Sequence, residues 1–192
     1  MAGNGVRTGK LLLEMEKTRF FLVPGLGSSG PDHWQTHFER LNPDFTRVEQ
    51  RDWERPDRRE WVDTLARALA GEALGQVVLV AHSLGCVTVA HWAGRYGHRI
   101  KGALLVAPSD VETAHYAAFP TTGFGPMPLR ALPFPSKVVA SRNDEWVTPA
   151  RARQFAEAWG SELVDIGNAG HINAASGYGP WPAGLALLEA WR

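Results

Sequence analysis

Cysteine is almost absent: Cys86 is the only one in 192 residues. A single thiol excludes an intrachain disulfide and any cysteine-rich metal site, and it fits a reducing compartment, so a cytoplasmic location is expected. Charge of one sign is missing too. Twenty acidic residues balance twenty basic ones and no lysine or arginine run stands out, so the footprint of a nucleic-acid or anionic-membrane binder is lacking. Near the start the longest apolar run is Leu11 to Leu13, interrupted by Glu14 and Glu16, too short for a signal-peptide core or for membrane insertion. These absences leave a small molecule or another protein as the expected partner. Residues 1–17 read as a flexible leader, and 18–192 as one domain, a length sufficient for one substantial core.

What is present alternates. Arg19 to Val23 is a short apolar run emptying into Pro24 and Gly25, and Trp34, Phe38 and Leu41 then recur at helical spacing behind Pro31. Thr46 to Gln50 reads as a second strand and Arg58 to Leu74 as a helix stopping at Gly75; Val77 to Val80 is a third strand, and Cys86 to Tyr96 the helix after it. Strands over Ala103 to Ala107, Lys137 to Ala140 and Glu162 to Ile166 follow, with helices over Pro149 to Trp159 and from about Pro182 to Trp191. Unbroken apolar strands alternating with helices predict an α/β fold, a mostly parallel central sheet covered on both faces. Ser109 to Ser136 breaks the pattern with five prolines and the aromatics Tyr116, Phe119, Phe124 and Phe134, as expected of the wall of a site.

Ligands of open parallel sheets bind beyond the carboxyl ends of the strands, so residues just past each strand carry the functional reading. The run VVLVAHSLGC turns sharply at Ser83, with the small residues Ala81 and Gly85 two positions before and after. Such a turn lifts the hydroxyl out of the sheet and lets helix and strand approach closely; alanine is a steric substitute for the glycine usual at the first small position. Asp144 follows the strand at Lys137 to Ala140, and His171 sits in the glycine-flanked loop GNAGHIN after Glu162 to Ile166. A serine hydroxyl needs a base to take its proton, an imidazole titrating near neutrality is the usual one, and a carboxylate on its other nitrogen fixes the tautomer. The order serine, aspartate, histidine is that of one architecture using this triad. Ser83 is thus the expected nucleophile, His171 the general base and acid, and Asp144 the orienting carboxylate. The backbone amides of Leu84 and Leu26 are the expected oxyanion donors. His33, Trp34, His82, Trp146 and Trp181 are candidate pocket walls.

At this point the segments VPGLGSSGPDHWQ, LVAHSLGC, LLVAPSD, PSKVVASRNDEWV and GNAGHINAASGYGPWP together resemble the small alpha/beta-hydrolase serine hydrolases that include retinoblastoma-binding protein nine and the bacterial YdeN proteins. The likeness runs from about Arg19 to the C-terminus. It implies a compact alpha/beta-hydrolase fold without a large cap domain, esterase-type activity on a small-molecule acyl substrate, and a triad falling on Ser83, Asp144 and His171.

Blander readings compete at several positions. Ser83 could cap the helix that follows. Asp110 also follows a strand and Asp165 lies near His171, but Asp165 falls within a strand pattern and capping suits Asp110 as well. GLGSSG, Gly25 to Gly30, matches a dinucleotide fingerprint, yet Pro31 starts the helix only after the third glycine, which should lie inside it. His33 and His37 have the spacing of a zinc pair but enclose Trp34 where the metalloprotease motif needs glutamate. No cofactor and no metal is therefore expected. Cys86 reads as inert packing. A hydrolase scaffold serving as a binding or regulatory protein is the alternative from another class.

Overall fold

Residues 17–192 are described by the computed structural model of the chain; the leader read over 1–17 lies, apart from Lys17, outside the described residues. The apolar runs form β1 (Arg19–Val23), β2 (Phe45–Arg47), β3 (Val77–His82), β4 (Gly102–Val106), β5 (Ser136–Ala140) and β6 (Glu162–Asp165). They make one six-stranded sheet in the order β2-β1-β3-β4-β5-β6, and every pair is parallel. The sheet is doubly wound because successive side chains on a strand point to opposite faces. Phe21, Val23, Leu79, Ala81 and Leu105 enter one apolar cluster, whereas Phe20, Leu22, Val80, Leu104 and Val106 enter the other. Helices α2 (Arg58–Ala68), α3 (Leu84–Tyr96) and α4 (Pro149–Trp159) cover the first face, and α1 (Trp34–Leu41) with α5 (Pro182–Ala186) covers the second. No helix of the described residues is long and apolar enough to cross a membrane.

Helix ends follow their local chemistry. Asp57 caps α2 by accepting from the Glu60 amide, Thr148 caps α4 ahead of Pro149, and Gly97 and Gly160 end α3 and α4 in left-handed conformation. Two helices are shorter than their periodicity suggests. The one read to Leu74 stops at Ala68, where the chain tightens into i to i+3 bonds and then turns at Gly71 with φ of +89°. The last helix breaks after Ala186 and resumes as a 3-10 turn over Glu189–Trp191. That tightening buries Leu188 and lays the Trp191 ring against Gly102, where no side chain could fit.

The strand order reverses between β1 and β3, so their carboxyl ends border the crevice in which ligands of such sheets bind. Closeness there depends on glycine. A Cβ on Gly85 would overlap the Val23 carbonyl oxygen and lie 2.7 Å from that of Pro24, so α3 can pack against the end of β1 only without a side chain. Gly94, further along α3, meets nothing within 4 Å. Gly85→Ala is therefore expected to destabilise the fold by about 1–3 kcal/mol through overpacking, whereas Gly94→Ala is expected to stabilise it by about 0.5–1 kcal/mol through helix propensity. Urea unfolding of both variants checks this, and equal stability would contradict the packing argument.

Candidate active site

Ser83 has φ of 56° and ψ of −124°, a conformation sparsely populated for any residue with a Cβ. It is over-determined by its surroundings: the Ser83 amide donates to the Val106 carbonyl at 3.0 Å, its carbonyl accepts from the Cys86 amide at 3.0 Å, and Gly85 lets β1 close in behind. Although Ser83 precedes α3, its side chain makes no capping bond. The hydroxyl points instead to His171, with Oγ to Nε2 at 2.9 Å. His171 Nδ1 lies 2.9 and 3.0 Å from the two oxygens of Asp144, whose side chain is fully buried and also accepts from the Trp146 amide at 2.9 Å. A carboxylate can only accept, so Nδ1 carries the proton and Nε2 is left as the acceptor of the Ser83 hydroxyl. Such a chain can move a proton from Ser83 to His171 without any atom travelling far.

The other acids stand elsewhere. Asp110 is held by the Arg151 guanidinium at 2.8 and 3.0 Å, and Asp165 pairs with Arg142 at 2.9 Å on the exposed edge. His91 bonds the Phe124 carbonyl and His98 stacks on Tyr96, both away from Ser83. Cys86 is buried, and burial pushes its thiol well above the usual range. At the first strand end, the site of a Cβ on Gly25 lies 2.8 Å from Ser83 Cβ and 3.2 Å from the Leu84 amide nitrogen. The β1 loop thus rests on the elbow, and neither the Leu26 nor the Leu84 amide donates to an acceptor among the described residues. In the GLGSSG loop, Gly27 donates to the Trp53 carbonyl and α1 starts four residues past Gly30, leaving that glycine outside the helix.

A cavity of about 240 Å³ opens over Ser83. Leu26, His33, His82, Tyr116, Phe119 and Trp146 are among its walls, so the irregular segment supplies two aromatics to it. Trp34 and Trp181, expected as walls, are not: they pack against each other in the second core cluster. The reason is hydrogen bonding. Trp34 Nε1 donates to the Ile172 carbonyl at 2.9 Å, which draws the indole beneath the His171 loop instead of into the cavity.

That loop is pinned from every side. His82 Nε2–H donates to the His171 carbonyl, Ser176 accepts from the His171 amide, and Ser141 and Asn143 after β5 accept from the Ala169 and Gly170 amides. Ile172 is held at φ of 50°, costly for a β-branched residue. Ser109 is a further contact that the motif reading misses: its hydroxyl lies 2.8 Å from Ser83 Oγ and is buried. Because the Ser83 proton goes to His171, Ser109 is the donor of this pair. Its signal was its position, two residues past Ala107 and its strand, where the rule applied to Ser83 also holds.

Two histidines of the site are kept neutral. Burial, aided by nearby Arg47 and His171, pulls His33 from the ordinary 6.5 to about 4, and its Nδ1 accepts from the Gln35 amide as the cap of α1. His82 is driven well below 6.5 by burial first, then by His171 and His33, against the opposing effect of its bond to the His171 carbonyl.

A family model described as serine hydrolase matches residues 20–190. Among solved structures, the chain is similar to a YdeN-like hydrolase from Pectobacterium atrosepticum, with 36% identity, 91% of this chain and 90% of that chain covered, and a TM-score of 0.79. It is also similar to the ydeN gene product from B. subtilis, at 18% identity, 91% and 98% coverage and a TM-score of 0.71. Carboxylesterase CesB from Bacillus subtilis shares the fold at 12% identity, 91% and 83% coverage and a TM-score of 0.64. No curated protein matches the chain.

The neutral histidines set an acid limit. An unfolded His33 takes up a proton as pH falls through 6.5 while the folded one resists until about 4, so stability present above 6.5 is lost progressively across that window. His33→Asn, which keeps a capping side chain, is expected to reduce the slope of unfolding free energy against pH there by about one proton. Urea midpoints measured at several pH values test this; an unchanged slope would contradict it.

Proposed function

The chain belongs to the serine hydrolase family, and on that premise we propose that it cleaves a small ester, thioester or amide through an acyl-enzyme carried on Ser83. The observation that carries this reading is the unbroken hydrogen-bonded line from Ser83 through His171 to Asp144, beside two backbone amides without acceptors among the described residues. In the proposed reaction Ser83 Oγ attacks the carbonyl carbon as its proton passes to His171 Nε2. Asp144 stabilises the imidazolium so formed, and the amides of Leu26 and Leu84 receive the developing oxyanion. Breaking the bond to the leaving group consumes the proton on His171 and leaves Ser83 acylated. Water then attacks the acyl carbon, its proton goes to His171, and that proton returns to Ser83 Oγ as the acid departs.

Ser109 adds to this scheme. Its hydroxyl donates to Ser83 Oγ, so the bond strengthens as negative charge gathers on that oxygen during proton transfer. The cavity of about 240 Å³ with aromatic walls suits a short or flat acyl group.

A fluorophosphonate probe is expected to label the wild type at Ser83, and Ser83→Ala to abolish both labelling and p-nitrophenyl acetate turnover. Labelling that persists on another serine would sink the assignment. Asp144→Asn is expected to lower kcat by about 10⁴. Ser109→Ala is expected to lower kcat roughly 10- to 100-fold, the worth of a hydrogen bond to a charged group, with KM little changed; an effect on KM alone would mean that Ser109 only shapes the pocket.

A further inference from the structure

Away from Ser83, like charge gathers in one place on a chain whose formal net charge is zero. A cleft runs between the start of α2, the last two turns of α3 and the Gly125 to Leu132 stretch of the irregular segment. Arg58, Arg59, Arg95 and Arg130 line it, with His91 between them. Its part between α2 and α3 alone encloses about 480 Å³. Among the described residues Asp63 is the one carboxylate in the lining, and it is already taken by Arg95 at 2.7 Å and by the Tyr96 hydroxyl at 3.2 Å.

Arg58 is the centre of this cleft, bordering all three of its parts. It is half-buried, its Nε is enclosed without any hydrogen-bond partner, and its guanidinium pairs with no carboxylate among the described residues. A bound anion would supply the enclosed Nε–H with an acceptor and the guanidinium with a counter-charge. The cleft cannot supply that counter-charge itself. His91 donates Nε2–H to the Phe124 carbonyl at 2.7 Å, and burial, with Arg58 adding, lowers its pKa, so it forms a neutral wall.

The number and geometry of the cations select the ligand. Arg59 and Arg130, like Arg58, make no ion pair among the described residues, and one carboxylate would leave most of that charge unanswered. Guanidinium forks from separate elements match the several oxygens of a phosphate group, which carries about two negative charges. The charge is confined to a concavity and does not extend as a stripe, which favours a small ligand over a nucleic-acid or lipid surface. We propose that this cleft is a binding site for a phosphate-bearing small molecule, separate from the Ser83 cavity, with Arg58 and Arg130 gripping the phosphate from opposite walls.

Calorimetric titration with inorganic pyrophosphate at low ionic strength, against sodium chloride of matched ionic strength, tests the site. Saturable binding is expected in the wild type and in Ser83→Ala, so that the outcome does not depend on the hydrolase reading. Arg58→Gln and Arg130→Gln are each expected to weaken binding at least about tenfold, with native melting curves showing that the folded state is kept. Should Arg58→Gln not fold, Arg130→Gln carries the test, since Arg130 is exposed in a loop. The proposal is overturned if the wild type shows no saturable binding or if the folded variants bind as it does. It is equally overturned if a DNA duplex or anionic vesicles bind the wild type and pyrophosphate does not.

Discussion

The close approach of α3 to the end of β1 is the contact on which the site depends. It exists because Gly85 has no side chain to meet the Val23 and Pro24 carbonyls. With α3 seated so near, the chain leaving β3 must turn within one residue, and Ser83 takes up a positive φ. The turn carries the hydroxyl away from the helix it would otherwise cap. The same approach brings the Gly25 backbone against Ser83 and Leu84, gathering two backbone amides and one hydroxyl at the point where the strand order reverses. Strain in one residue is thus maintained by packing that many residues share.

The other half of the site is built by restraint of a loop. His171 sits in irregular backbone, and its position is set by polar partners on three neighbouring segments: His82 from β3, Ser141 and Asn143 after β5, and Trp34 from α1. The bonds to the His171 and Ile172 carbonyls and from the Ala169 amide satisfy main-chain groups that would otherwise be buried without a partner. Their combined effect is to aim one imidazole between a fully buried carboxylate and a hydroxyl. The acid sensitivity of the neutral histidines follows from the same burial that excludes water around them.

Much of this was legible in the sequence, for a physical reason. A parallel strand buried on both faces leaves an unbroken apolar run, so Val77 to Val80 and Ala103 to Ala107 announce themselves, and their ends mark one edge of a sheet. The segments that carry the family resemblance include those ends, and the family model matches residues 20–190. What periodicity does not carry is lateral packing. Trp34, at helical spacing, and Trp181, in a loop, read as walls of the site, yet an indole N–H bond from Trp34 to Ile172 and a ring contact between the two take both into the core. Ser109 sits at a strand end, where the rule applied to Ser83 also holds, but Ser141 and Asn143 act through partners tens of residues distant, for which local sequence has no signal. The arginine cleft is likewise invisible in the chain, since its charges come from three separate elements and cancel in the overall balance.

The central claim is that the elbow, the β1 loop and the His171 loop meet at one reacting atom, and a crystal structure of the phosphonate adduct tests it most directly. The account predicts a covalent bond from Ser83 Oγ to phosphorus, with a phosphoryl oxygen within hydrogen-bond distance of the Leu26 and Leu84 amides and His171 still on Asp144. An adduct whose phosphoryl oxygen turns to solvent, or which forms on a different residue, would contradict it.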